Sequence, residues 1–155
     1  MSTKKDGKDN TLLKSLKKGD VVVFGSHVAG KFIIDTVFVV AESIPYSGKT
    51  IGQFKGSVPN WYFPLTLNHV APDACFTLYK GATYNNPVDG MYSFFPCVID
   101  EKINSGFERP DLKDFNSGQT QGIVNVELSA HDVWQEIVAK VYATNLSLGV
   151  KAPVK

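Results

Sequence analysis

The sequence predicts an α+β fold that is mostly β: a small curled mixed or antiparallel sheet, or pseudo-barrel, of about six strands closed by one C-terminal amphipathic helix. Three observations carry this expectation. Short runs of β-branched and aromatic residues recur along the chain, bounded by glycine, proline, asparagine and serine. No helical pattern joins one run to the next, which argues against parallel crossover units. Only residues 130–146 repeat apolar side chains at helical spacing.

In chain order, residues 1–10 read as a flexible basic tail, residues 11–149 as a single β-rich domain, and residues 150–155 as a loose C-terminal tail. Thr11 to Lys18 reads as a short helical turn, with Asn10 or Thr11 as its cap and Gly19 as its stop. Asp20-Val-Val-Val-Phe-Gly25 is a short apolar strand. Lys31-Phe-Ile-Ile-Asp-Thr-Val-Phe-Val-Val-Ala-Glu42 is the strongest strand pattern of all, and the small-residue link 26–30 makes the two a hairpin. Residues 43–60, with Pro45, Gly48, Gly52, Gly56 and Pro59, read as a long surface loop. Residues 75–80 and 91–99 read as strands, the latter edged at Pro96, with a turn-rich loop over 81–90. Residues 100–122 form a second long loop and residues 123–128 a last strand. Ser129 caps the helix, Asp132 suits its first turn, and Val133, Trp134, Ile137, Val138, Val141 and Leu146 form its apolar stripe, with Gly149 past its end.

Composition narrows the class. At 155 residues with 43% hydrophobic and 20% charged residues, the chain has the make-up of one globular domain. No apolar run approaches the roughly 20 residues that cross a bilayer, and the polar start lacks the apolar stretch of a signal peptide. The expected location is the cytoplasm. Cys75 and Cys97, each in apolar company, are expected to be reduced and buried. Residues 1–18 hold six lysines against two aspartates, which leaves the rest of the chain mildly acidic. Arg109 is the sole arginine. A duplex-reading surface uses several arginines for bidentate contacts, so broad DNA recognition is not expected.

The candidate chemistry starts at Asp35. It interrupts an apolar strand row in which residues 33, 35, 37 and 39 would share one face. A carboxylate there needs a partner, from backbone N–H groups or from Arg109, or it lines a cavity. The aromatic residues Trp61, Tyr92 and Phe94 offer flat surfaces suited to a nucleobase, with ordinary core packing as the competing role. His27, His69 and His131 lack the spacing of a zinc site, and no metal or other cofactor is expected. The glycine-bounded segment 25–30 has no Gly-Lys-Ser/Thr ending and precedes a strand, which excludes a P-loop.

Leu16-Lys-Lys-Gly-Asp-Val-Val-Val-Phe-Gly25 followed by Phe32-Ile-Ile-Asp-Thr-Val-Phe-Val-Val-Ala-Glu42 resembles the opening of PUA-like domains of the ASCH, EVE and YTH branches. Phe107-Glu-Arg-Pro110 is similar to the Arg-Pro loops of the EVE type. The resemblance spans about a third of the chain and carries no aromatic-cage residues over. It implies a pseudo-barrel that binds a nucleotide, a modified base or RNA, a function that the candidates read from the residues, Asp35, Arg109, Trp61, Tyr92 and Phe94, would suit as ligand-binding residues. It also implies a possible nucleotide or single-stranded nucleic-acid partner and no membrane. Two other readings stay open: a small hydrolase or transferase using Asp35, Arg109, His27 and Cys97 on a nucleotide-like substrate, and a non-catalytic protein–protein module presenting loops 43–60 and 100–122.

Overall fold

Lys17 to Asp20 turns the chain into its first strand. The Asp20 N–H donates to the Lys17 carbonyl at 3.0 Å, and the Asp20 carboxylate accepts the Lys17 N–H at 2.7 Å. Gly19, at φ 91°, takes the left-handed position that this turn requires. Its expected role as the stop of a helix is therefore corrected: residues 15–18 are not helical, and glycine here serves a β-turn. The computed structural model describes residues 15–28, 31–56, 58, 71–97 and 128–150. The expected strand over 123–128 lies outside these but for Leu128, and the loop 100–122 lies wholly outside.

Strand β1 (Val21–Val28) pairs antiparallel with the long β2 (Lys31–Ser47), as the hairpin pattern predicts. Strand β3 (Cys75–Gly81) pairs antiparallel with the second half of β2, giving a three-stranded sheet of order β1-β2-β3. A second antiparallel pair joins β4 (Phe95–Cys97) to β5 (Ser147–Gly149). Helix α1 (Ala130–Ala143) lies between β4 and β5 in sequence. The described chain is thus α+β, with five strands in two antiparallel sheets and one α-helix. The sheets do not close, so the barrel form of the expectation is not realised among the described residues.

Residues 43–47 were expected to open a loop, and they are instead strand. Pro45 does not prevent this. Strand β1 reaches only to Val39, so Pro45 has a described neighbour strand on one side, opposite Thr77. A strand edge tolerates a residue without an N–H group. Within the described residues 91–97 the strand is β4, and the residues before it pair their backbone with β2 at one bridge, Val37 with Phe94, through bonds of 2.8 and 2.9 Å.

Two irregularities interrupt the pairing of β2. Opposite β1, Phe24 faces Thr36 and Gly25 faces Ile34, which leaves Asp35 as an extra residue in a bulge. Opposite β3, Val40 faces Gly81 and Glu42 faces Lys80, which leaves Ala41 extra. Each bulge shifts the inside–outside alternation. The buried set is accordingly Ile34, Val37, Val39 and Val40 rather than one parity throughout.

Two backbone groups of Val39 on β2 face the edge where β3 departs and β4 begins. The Val39 carbonyl accepts the Ala82 N–H at 2.7 Å. The Val39 N–H finds no backbone carbonyl there and donates instead to the Ser93 hydroxyl at 3.0 Å. Ser93 N–H in turn donates to the Ala82 carbonyl at 2.9 Å. A Cβ on Gly81 would come within 2.8 Å of the Phe38 ring and 3.0 Å of Ser93 Oγ, so glycine lets the hydroxyl into the gap.

Between β3 and Phe94 the chain makes two tight turns. Asp89 and Gly90, at φ 49° and 79°, form the two-residue mirror-image turn that joins Val88 to Met91. That turn delivers both flanking side chains to the core, which also contains Ile34, Val37, Val39, Ala82, Phe94, Val133, Trp134, Ile137, Val141 and Leu146.

Helix α1 starts as expected. Ser129 Oγ accepts the Asp132 N–H at 3.1 Å, and Asp132 reaches back to the Ser129 N–H at 3.3 Å, a complete capping box. Its end is earlier than the apolar stripe suggests. Asn145, at φ 58°, stops the helix, with its N–H on the Tyr142 carbonyl at 3.0 Å and the Leu146 N–H on the Val141 carbonyl at 3.2 Å. This is a Schellman closure with asparagine in the left-handed position. Leu146 joins the core from beyond the helix. Gly149 belongs to β5, where a Cβ would overlap the Phe95 ring, at 2.6 Å from Cζ.

Removing the Ser93 hydroxyl leaves the fully buried Val39 N–H without its acceptor. Ser93→Ala is expected to lower unfolding free energy by about 1–3 kcal/mol in urea titrations, with an unchanged slope. The Ser129 hydrogen bonds hold the Asp132 carboxyl below its ordinary pKa. A lowered folded-state pKa adds stability above the unfolded value that disappears as pH falls through the folded one. Acid titration followed by circular dichroism should therefore show helix loss below the usual carboxylate range, and Asp132→Asn should flatten that loss.

Candidate functional site

The bulge decides what Asp35 can do. An extra residue re-aims the side chain, so Asp35 leaves the row of Val37 and Val39 in which plain alternation places it. It is half-buried rather than enclosed, and it accepts the Ser26 hydroxyl at 2.8 Å across the hairpin. The expected partner Arg109 and the aromatic Trp61 both lie outside the described residues. Of the five residues predicted to meet a ligand, the structure brings together two, Tyr92 and Phe94. Asp35 lies on the β1–β2 bulge, two residues from the Val37 that pairs with Phe94.

Tyr92 and Phe94 share Trp134 as a neighbour. The Phe94 ring is 2% exposed and meets the indole edge-on, with centroids 6.1 Å apart. It belongs to the core and offers no open face. Tyr92 is the next layer outward, half-buried, 6.4 Å from Phe94 and 5.3 Å from Trp134 by centroids. The Trp134 indole N–H donates to the Tyr92 backbone carbonyl at 3.0 Å, which ties helix α1 to the segment that carries Tyr92. Trp134 was expected to be core, and at 9% exposure it is.

Two further tyrosines, absent from the predicted set, are exposed. Tyr84 stands on the turn Thr83–Asn86, is 63% exposed, and meets Tyr92 edge-on at 5.2 Å and 85°. Tyr142, on the last turn of α1, is 56% exposed. Two segments thus supply a pair of phenols, Tyr84 on Tyr92, beside a Trp134–Phe94 base. Burial, then the Tyr142 and Tyr84 phenols, push the Tyr92 pKa up. Tyr142 had a legible signal, because it lies beside the apolar stripe of α1 and is a large aromatic on the wet side. Tyr84 had only its aromatic character in a turn.

A second aromatic group lies away from the ledge. Tyr46 on β2 stacks on its strand partner Phe76 at 5.6 Å and receives Phe54 edge-on at 5.1 Å. Phe54 belongs to the 3-10 turn Ile51–Phe54 and is buried, so this group packs the start of the excursion that leaves β2.

The cysteines are free, as expected, but Cys75 is exposed, which corrects the expectation of two buried thiols. It begins β3, where the strand emerges from the turn at 71–74. Cys97 is half-buried with its thiol directed to the Ser147 carbonyl at 3.6 Å. Among the described residues, no three His, Cys, Asp or Glu side chains are grouped to hold a metal, and no helix is long and apolar enough to cross a membrane.

The raised Tyr92 pKa has a sign. The folded state holds the phenolic proton more tightly than the unfolded chain, so this stability is full below about pH 10 and is lost as pH climbs through the raised value. Alkaline melting curves should show an added loss of stability in that window, and Tyr92→Phe, which has no proton to release, should reduce it.

No protein-family model, curated protein or solved structure matches this chain.

Proposed function

We propose that the chain is a binding module that recognises a nucleotide, a modified base or single-stranded RNA by stacking it on the ledge formed by Tyr84 and Tyr92. The observation that carries this reading is the Tyr84 ring, 63% exposed yet placed edge-on against Tyr92 by a hydrogen-bonded turn. An exposed ring is usable for stacking when its support is rigid, because little freedom is then lost on binding. The support here is the Thr83–Asn86 turn, the Val88–Met91 turn that follows it, and the Trp134 bond to the Tyr92 carbonyl. Every base has a flat π-face, so such a surface suits bases in general. The resemblance of residues 16–42 to PUA-like domains supports the same reading. Within this reading Phe94 supports the ledge from below, and Tyr84 takes the exposed position.

Calorimetric titration with nucleosides, short single-stranded RNA and short single-stranded DNA at low salt tests this. Stacking on one ring is worth about 1–3 kcal/mol, so Tyr84→Ala is expected to weaken binding roughly 5- to 150-fold while the melting temperature stays near that of the parent chain. Absence of binding by every one of these ligands at low salt overturns the reading.

A further inference from the structure

Strand β1 stands at the outer edge of the β1-β2-β3 sheet. Val37 of β2 exchanges both of its backbone bonds with Phe94, and Val39 spends its N–H on Ser93 and its carbonyl on Ala82. Both residues thus turn their backbone groups away from β1. Their antiparallel partners Val23 and Val21 therefore belong to non-hydrogen-bonded pairs and turn their own N–H and C=O away from β2, to the outer edge. Among the described residues, nothing pairs with that edge. An open edge is ordinarily blunted by a proline, a charge or a bulge in the edge strand. Strand β1 contains no proline and no Lys, Arg, Asp or Glu, and the extra residue of its bulge, Asp35, belongs to β2. The side chains of Val21 and Val23 pack against the core, so by alternation the opposite face carries Val22 and Phe24, the latter 54% exposed. Charge marks the two ends of the strand differently. The exposed Lys17 and Lys18 precede its start, and Asp35 stands beside its later part, bonded to Ser26 at 2.8 Å.

We infer that this edge pairs antiparallel with the β1 edge of a second copy of the chain, about a two-fold axis at Val22. In that register Val21 of each copy exchanges main-chain bonds with Val23 of the other, and the Val22 side chains meet across the axis. The start of each β1 lies along the end of the other. Lys18 therefore comes alongside Ser26 and Asp35 of the second copy, and opposite charges meet at both ends of the contact. Moving the axis one residue, to Val23, would bring Asp20 there instead, carboxylate towards carboxylate, so charge selects the register. The contact is a strand edge rather than a broad face, which makes the dimer weak and reversible. This inference stands independently of the base-stacking reading.

Sedimentation equilibrium of the full chain from about 1 μM to about 1 mM is expected to show a monomer–dimer equilibrium that weakens as salt is raised. Val23→Pro removes an outward N–H that β2 does not use. It is expected to raise the dimer dissociation constant at least about tenfold, with the far-ultraviolet spectrum of the parent chain. In a Cys75→Ser, Cys97→Ser background, mild oxidation is expected to join Val22→Cys chains into covalent dimers and to leave Phe24→Cys chains unjoined, because residue 22 faces itself across the axis and residue 24 does not. That readout alters no backbone group and decides the matter should the proline variant fail to fold. A chain that stays monomeric throughout overturns the inference, including the outcome in which the Val21 and Val23 amides resist hydrogen exchange because another segment of the same chain covers them. A dimer that a folded Val23→Pro chain retains overturns the edge as its site. Joining at residue 24 in place of residue 22 overturns the register.

Discussion

Along one edge of β2, the backbone groups of Val37 and Val39 must satisfy a ladder that two different segments share. Strand β3 covers the edge from Val40 outward, and Phe94 covers it at Val37. Between them the Val39 N–H faces a gap inside the core, where an unpaired donor costs about 1–3 kcal/mol. Ser93 fills the gap with a hydroxyl, and Gly81 makes room for it. The position of Ser93 fixes Phe94 on Val37, which sets where β4 begins and where Tyr92 emerges. The indole N–H of Trp134 then bonds the Tyr92 carbonyl and draws the helix against the same segment. The aromatic ledge is the outward end of this chain of contacts.

Much of this frame was legible, and the reasons are local. The β1–β2 hairpin follows from two β-branched runs with a short link, the helix from an apolar stripe preceded by Ser129 and Asp132, and β3 from alternation over 75–80. What escaped was set by distant partners. The bulge at Asp35 is invisible in a sequence whose alternation looks regular, and it moves the carboxylate out of the row assigned to it. Strand β2 continues through Pro45 because β3 lies on one side and no described strand on the other. Tripeptide β5 has no pattern of its own; Ser147–Gly149 is a strand because β4 is there to receive it. Asn145 ends the helix by adopting a left-handed conformation, a role that Gly149 had suggested by composition.

The candidate site divides along the same line. Aromatic character at Tyr92 and Phe94 was readable, and so was the shared support of Trp134 once the helix was placed. Which ring would be wet was not readable, because that depends on the bulges of β2 and on how far α1 overlies the segment before β4. Phe94 lies beneath and Tyr84 above, two residues of similar chemistry separated by a layer of packing. Asp35 has its hydroxyl partner in Ser26 on the neighbouring strand, so the polar interruption of the apolar pattern serves the hairpin itself.

The Ser93 contact with Val39 joins positions separated by 54 residues, whereas the β1–β2 hairpin closes through a short link. Loop-closure entropy makes the distant contact the dearer one, and contacts of large sequence separation slow folding. The chain thus assembles from unequal parts: a hairpin that can form from its own neighbours, and a clasp whose formation requires the intervening strand, turns and return segment to be in place. The surface proposed to bind ligand lies on the far side of that clasp. Its geometry is therefore a late product of folding, and a perturbation of the clasp would reach the ledge before it reached the hairpin.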